Sequence, residues 1–175
     1  MSNFSFEEVI SEAKIILLLK YPFFGYILQK LHVVENNDFI KTAGVDGKHL
    51  YLNREFVLEL AKDGTEEVVF LLAHEVLHMV YKHLYRIGTS NPQLSNMAQD
   101  YLINFVLVQD GVGVIPKSAL FNPKYNNNYT SEQIEEMLIQ DGSPLKPTLD
   151  AHIKKDDNFE SNNLEDDSND FSKGS

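Results

Sequence analysis

The sequence predicts a single α+β domain, mostly helical, and three observations carry that prediction. Most segments between Phe6 and Gln140 repeat apolar residues at helical spacing. One stretch, around Asp46-Gly47, instead reads as two extended segments joined by a turn. At 175 residues, 43% hydrophobic and 23% charged, the chain has the size and makeup to bury one sizeable core.

The elements follow in order. Val9, Ile10, Ala13, Ile16 and Leu17 fall on one face of a helix over 6–21. Pro22 breaks it, because proline has no N–H to donate, and 23–31 forms a second helix. Residues 39–45 and 48–53 then flank Asp46-Gly47, a favoured two-residue hairpin turn. A short helix over 54–61 stops near Gly64. Thr65 caps the next helix, with Glu66 and Glu67 well placed in its first turn. That helix is expected to reach about Ile87 and end at Gly88. After a Thr-Ser-Asn-Pro turn, 93–109 is helical, and 112–129 is loop with Pro116, Pro123 and three consecutive asparagines. Thr130 or Ser131 opens a last helix to Gln140. Beyond Pro144 and Pro147 the composition turns to Asp, Asn, Ser and Glu. The expected domain is therefore 1–148, followed by a disordered acidic tail over 149–175. No internal repeat is visible.

Charge and composition exclude several function classes. The net charge is -11, and 156–175 holds seven acidic residues and one lysine, or -6, leaving -5 for the rest. Such a chain is expected to bind no nucleic acid, since that needs a basic surface. There are no cysteines, so disulfides, thiolate metal sites and thiol nucleophiles are impossible. Their absence fits a cytoplasmic protein. The N-terminus has no basic segment typical of a secretory signal, and the apolar runs are too short to span a membrane. No nucleophile elbow and no glycine-rich phosphate loop occur. Asp46-Gly47 resembles a calcium-loop fragment, but a turn explains it. The tail prediction is directly testable: deleting 156–175 is expected to leave folding and metal binding intact, because Phe159, Leu164 and Phe171 are almost its only apolar residues. A large drop in thermal midpoint on truncation would contradict it.

The chemistry concentrates in His74-Glu75-Val76-Leu77-His78. Residues four apart share a helix face, so both imidazoles can address one point, as two zinc ligands must. Glu75 is turned about 100° from His74 and can reach a water without binding the metal itself. The surrounding helix is apolar on nearly every side, from Val68 to Val80. A cluster without metal would leave a glutamate and two histidines buried at a cost that a cation removes. A third ligand is needed for a catalytic zinc. His83 is rejected, because nine residues after His74 it stands about 900° round the helix, half a turn out of line. In an antiparallel hairpin of the two long helices, residues whose numbers sum to about 179 face each other. His78 then meets the neighbourhood of Asp100, and Glu75 that of Asn104. Asp100 and Asn104 are i and i+4 on an otherwise apolar helix, which makes Asp100 the expected third ligand. Asn104 would orient a ligand or Glu75. Tyr101, Tyr125 or Tyr129 could stabilise an oxyanion, although packing explains each sufficiently. Tyr51 is expected to pack on the hairpin.

Several segments in order resemble a known family. They are Leu19-Lys20-Tyr21-Pro22-Phe23-Phe24-Gly25-Tyr26, Thr42-Ala43-Gly44-Val45-Asp46-Gly47 with Tyr51-Leu52-Asn53, Leu72-Ala73-His74-Glu75-Val76-Leu77-His78, and Asn96-Met97-Ala98-Gln99-Asp100-Tyr101-Leu102-Ile103-Asn104. Together they resemble the "putative metallopeptidase domain" family of bacterial and phage proteins, which usually precedes a von Willebrand factor A-like domain. The resemblance implies a zincin-like fold and a zinc hydrolase, with Asp100 at the third metal position. No such second domain is expected in this sequence, so its function is expected to come from a protein partner in trans or to be done without.

The expected activity is therefore peptide hydrolysis on a peptide or protein substrate. Zn2+ is held by His74, His78 and Asp100, Glu75 is the general base, and Asn104 supports the site. A small sheet beside the H-E-x-x-H helix would offer residues 48–53 as an edge for an extended peptide. The alternatives are a zinc-binding module without turnover and a metal-free protein-interaction module.

Overall fold

The computed structural model describes residues 4–84 and 91–150, with backbone alone at 82–84. The architecture is α+β and mostly helical, with a small sheet against the motif helix. Helix α1, Phe6–Lys20, starts where Ser5 and Glu8 cap each other. Ser5 Oγ accepts the Glu8 N–H at 3.2 Å, and the Glu8 carboxylate accepts the Ser5 N–H at 2.7 Å. Pro22 opens α2, Pro22–Leu28, at the position where its missing N–H costs nothing. The two helices cross closely at Gly25, where a Cβ would lie 2.4 Å from Leu18 Cα.

Three strands follow: β1 (His32–Glu35), β2 (Ala43–Val45) and β3 (His49–Leu52). Their order is β1-β3-β2, with β1 parallel and β2 antiparallel to β3. Two expectations change here. The turn is shifted by one residue: the Asp46 N–H bonds the His49 carbonyl at 3.2 Å, and Gly47-Lys48 forms the tip with Gly47 at φ 97°. Asp46 stays at the strand end because its carboxylate accepts the N–H groups of Lys48 and His49, at 2.9 and 2.7 Å, and the Tyr51 hydroxyl at 2.8 Å. Secondly, the strand expected to receive a peptide, β3, is the central one. Its backbone is paired on both sides, so the edges of the sheet are β1 and β2. The unforeseen β1 is the cause. It is four residues long, and its parallel partner lies across a long connection that no local pattern encodes.

Burial alone raises the Asp46 carboxyl, but the two backbone N–H groups and the hydrogen bonds from Tyr51 and His49 outweigh it and hold the group well below the ordinary carboxylate range. The same contact and burial push the Tyr51 hydroxyl up to about 12. A carboxyl whose folded pKa is depressed stabilises the fold above its unfolded pKa of about 3.9 and loses that contribution as pH falls below it. Asp46→Asn is therefore expected to lower the urea midpoint at pH 7, with the gap to wild type narrowing toward pH 3. A gap of constant size at both pH values would contradict this.

Asn53 caps α3 (Arg54–Leu60) by accepting the Phe56 N–H at 3.0 Å, and a 3-10 turn, Ala61–Asp63, leads to Gly64. Helix α4, Glu66–Leu84, runs through the middle of the molecule and touches α1, α2, α3, α5 and β2. Residues 68–78 are all 6% exposed or less. Its expected end near Gly88 lies outside the described residues. Asn91 caps α5, Pro92–Gln109. The chain then crosses the start of α4 at Gly113, where a Cβ would lie 2.5 Å from the Glu66 carbonyl oxygen and φ is 62°. Helix α6, Ser131–Gln140, carries a reciprocal Thr130–Gln133 cap and packs on α5.

One apolar cluster joins α1, the sheet and α4, and a second joins α5 to α6 through Leu94, Met97, Tyr101, Ile134 and Leu138. Of the tail expected from 149, Leu149 and Asp150 are buried at 3% exposure each. The remainder, 151–175, lies outside the described residues.

Candidate metal centre

Helix α4 presents His74 and His78 on one face, with ring centroids 4.6 Å apart and ring planes at 70°. Their Nε2 atoms lie 3.0 Å from each other. From α5, Asp100 brings Oδ1 to 3.0 Å from His78 Nε2 and 3.5 Å from His74 Nε2. The contact between His78 and Asp100 has the helix-hairpin register expected from the sequence. All three side chains are buried, with at most 1% exposure.

Neighbours fix which atoms face the cluster. Asn104 Oδ1 lies 2.7 Å from His74 Nδ1. An amide oxygen only accepts, so the proton sits on Nδ1 and the Nε2 lone pair is directed at the cluster. Asn104 itself is held by its Nδ2, which donates to the Leu120 carbonyl at 2.8 Å. Asn104 is thus in contact with His74 and with the segment at Leu120. On the other side, Asp100 Oδ2 accepts the Leu149 N–H at 2.9 Å, which leaves Oδ1 toward the histidines. Phe70, one turn before His74, stacks on its ring at 6.5 Å.

The donor set suits a metal ion. Two imidazole nitrogens and one carboxylate oxygen converge in a dry site, and bringing nitrogen lone pairs this close is unfavourable without a proton or a cation between them. Tetrahedral zinc with bonds of about 2.0–2.1 Å imposes ligand separations of about 3.3 Å, and the observed 3.0, 3.0 and 3.5 Å bracket that value. Among the described residues, His74, His78 and Asp100 are the group of metal-ligating type that the fold brings together. Burial by itself raises the Asp100 carboxyl, but the neighbouring His74 and His78 rings outweigh it and hold the group well below the carboxylate range.

Glu75 follows His74 in the chain and is wholly buried. His83 sits on α4, which continues without a break to Leu84, but its side chain lies outside the described residues. The tyrosines considered for an oxyanion role are placed elsewhere. Tyr101 and Tyr125 pack together at 4.9 Å in the α5–α6 cluster, and the Tyr125 hydroxyl donates to Asp141 at 2.6 Å. Tyr129 is 40% exposed. Sequence reasoning missed the two backbone groups at the site, the Leu120 carbonyl and the Leu149 amide. Backbone partners carry no residue signature, and a register argument within one hairpin does not reach 16 or 49 residues along the chain.

A family model described as "Putative metallopeptidase domain" matches residues 5–173. No curated protein and no solved structure matches the chain. Among the described residues, no helix is long and apolar enough to cross a membrane.

Proposed function

We propose, for a chain that belongs to the putative metallopeptidase domain family, that it is a zinc peptidase with His74, His78 and Asp100 as ligands and Glu75 as general base. The observation that carries this reading is the buried triangle of His74 Nε2, His78 Nε2 and Asp100 Oδ1. Three protein ligands of N and O type are what hydrolytic zinc sites use. When bound there, zinc acidifies a water and polarises the scissile carbonyl. Glu75 accepts a proton from the attacking water and passes it to the leaving amine. Asn104 keeps the His74 proton on Nδ1, so that Nε2 is always available as a ligand atom.

His74, Glu75, His78 and Asp100 are at most 1% exposed, so a covering segment must shift before a substrate reaches them. The proposed substrate class is a peptide or protein, acted on in the cytoplasm, with a protein partner assisting. The sheet supports such binding only through its edges β1 and β2, since β3 is paired on both sides. The experiment is incubation of the zinc-loaded protein with a mixed peptide library, read by mass spectrometry against Glu75→Gln as the blank. New termini that depend on Glu75 support the peptidase. Zinc binding without cleavage of any peptide supports a non-catalytic zinc module instead.

A further inference from the structure

The segment after α6 returns to the metal centre, and its contacts define a role for it. The Lys146 N–H approaches Met97 Sδ at 3.3 Å, and three residues later the Leu149 N–H donates to Asp100 Oδ2 at 2.9 Å. Met97 and Asp100 lie on one face of α5, so the segment runs along that face. At Asp150 it makes a parallel bridge to Ala43, the first residue of β2. The Leu149 side chain is buried in the main core cluster, and the Thr148 hydroxyl donates to the Asp150 carbonyl at 2.9 Å. The backbone around the Leu149 amide is thus held on both sides, at Lys146 by Met97 and at Asp150 by the bridge to the sheet.

We propose that the backbone amide of Leu149 is a positioning group for the metal centre, acting through Asp100. The inference rests on the reading of His74, His78 and Asp100 as ligands. A carboxylate has two equivalent oxygens, and a buried one turns toward whatever donors it finds. An N–H bonded to the charged acceptor makes a strong hydrogen bond and ties Oδ2 to the segment at 149. Oδ1 is then the oxygen presented beside the two Nε2 atoms, as a one-oxygen ligand. Removing the N–H leaves Oδ2 without this donor in a dry site, and the carboxylate rotates or offers both oxygens. Loss of such a supporting contact typically costs roughly 10–100-fold in metal affinity. In this view the backbone N–H at 149, and not the leucine side chain, supports the metal site.

Two variants of the full chain separate the amide from the side chain. Leu149→Pro removes the N–H, whereas Leu149→Ala keeps it and trims the packing. Zinc affinity is measured by competition with a chromophoric chelator, and the Co2+ absorption spectrum reports the ligand field. Leu149→Ala is expected to lose thermal stability but keep wild-type zinc affinity and a wild-type Co2+ spectrum. Leu149→Pro is expected to bind zinc roughly 10–100-fold more weakly, with an altered spectrum. Should the proline variant fail to fold, the α-hydroxy analogue of leucine at position 149, which exchanges only the N–H for an ester oxygen, takes its place with the same expectation. Wild-type affinity and spectrum without the N–H would overturn the proposal, as would an equal loss in Leu149→Ala. Wild-type protein that binds no zinc would overturn the ligand reading itself, a result distinct from either.

Discussion

Glu75→Gln is expected to keep its zinc and lose turnover by ~10²–10⁴-fold, the usual range for a general base. In activation free energy that is about 3–5 kcal/mol. The substitution preserves size and polarity inside a helix where every neighbour from Val68 to Leu77 is buried, so packing is little disturbed. What it removes is the ability to accept a proton. Zinc content, circular dichroism and peptide cleavage measured on one preparation distinguish the cases. Retained zinc with lost cleavage supports the base. Lost zinc would make Glu75 a ligand, and unchanged cleavage would remove it from the reaction.

Asp100→Ala is expected to act one step earlier, on the metal itself. It deletes the anionic member of the triangle and leaves the two imidazoles 3.0 Å apart. Zinc affinity is expected to fall by well over the ~10–100-fold typical of losing a mere supporting contact, with cleavage falling in consequence. It also strands the Leu149 N–H, so some loss of thermal stability accompanies it. His83→Ala is the control, because an unbroken α4 turns position 83 about half a turn away from His74. The combination that defeats the assignment is Asp100→Ala binding zinc like wild type while His83→Ala loses it.

Much of the site was legible because it is helical. The spacing of His74 and His78 fixes a shared face, and equal rise along two antiparallel helices was enough to bring Asp100 to His78 and Asn104 to the same face. A cap also marked a helix start at Thr130, whereas the Asn53 cap of α3 was not read from the sequence. The sheet was less legible. Strand β1 has only four residues, and its partner was chosen by the tertiary fold, so the accessible edge was misplaced onto β3. The turn slipped by one residue because Asp46 serves its own loop amides better from the strand end than from the turn tip. The burial of Leu149 was hidden by composition. A Pro-, Thr- and Asp-containing stretch leading into an acidic run looks like solvent-exposed chain, yet Leu149 is buried and its amide donates to Asp100.

The central claim is that His74, His78 and Asp100 form a zinc site, and metal content tests it most directly. Wild type and His74→Ala, purified side by side without added metal, are analysed for zinc per chain by elemental analysis. About one zinc per chain is expected in wild type, as one tetrahedral site requires, and far less in His74→Ala, with both proteins folded by circular dichroism. Wild type with near-zero zinc that added metal does not restore would contradict the account, and so would His74→Ala holding as much zinc as wild type.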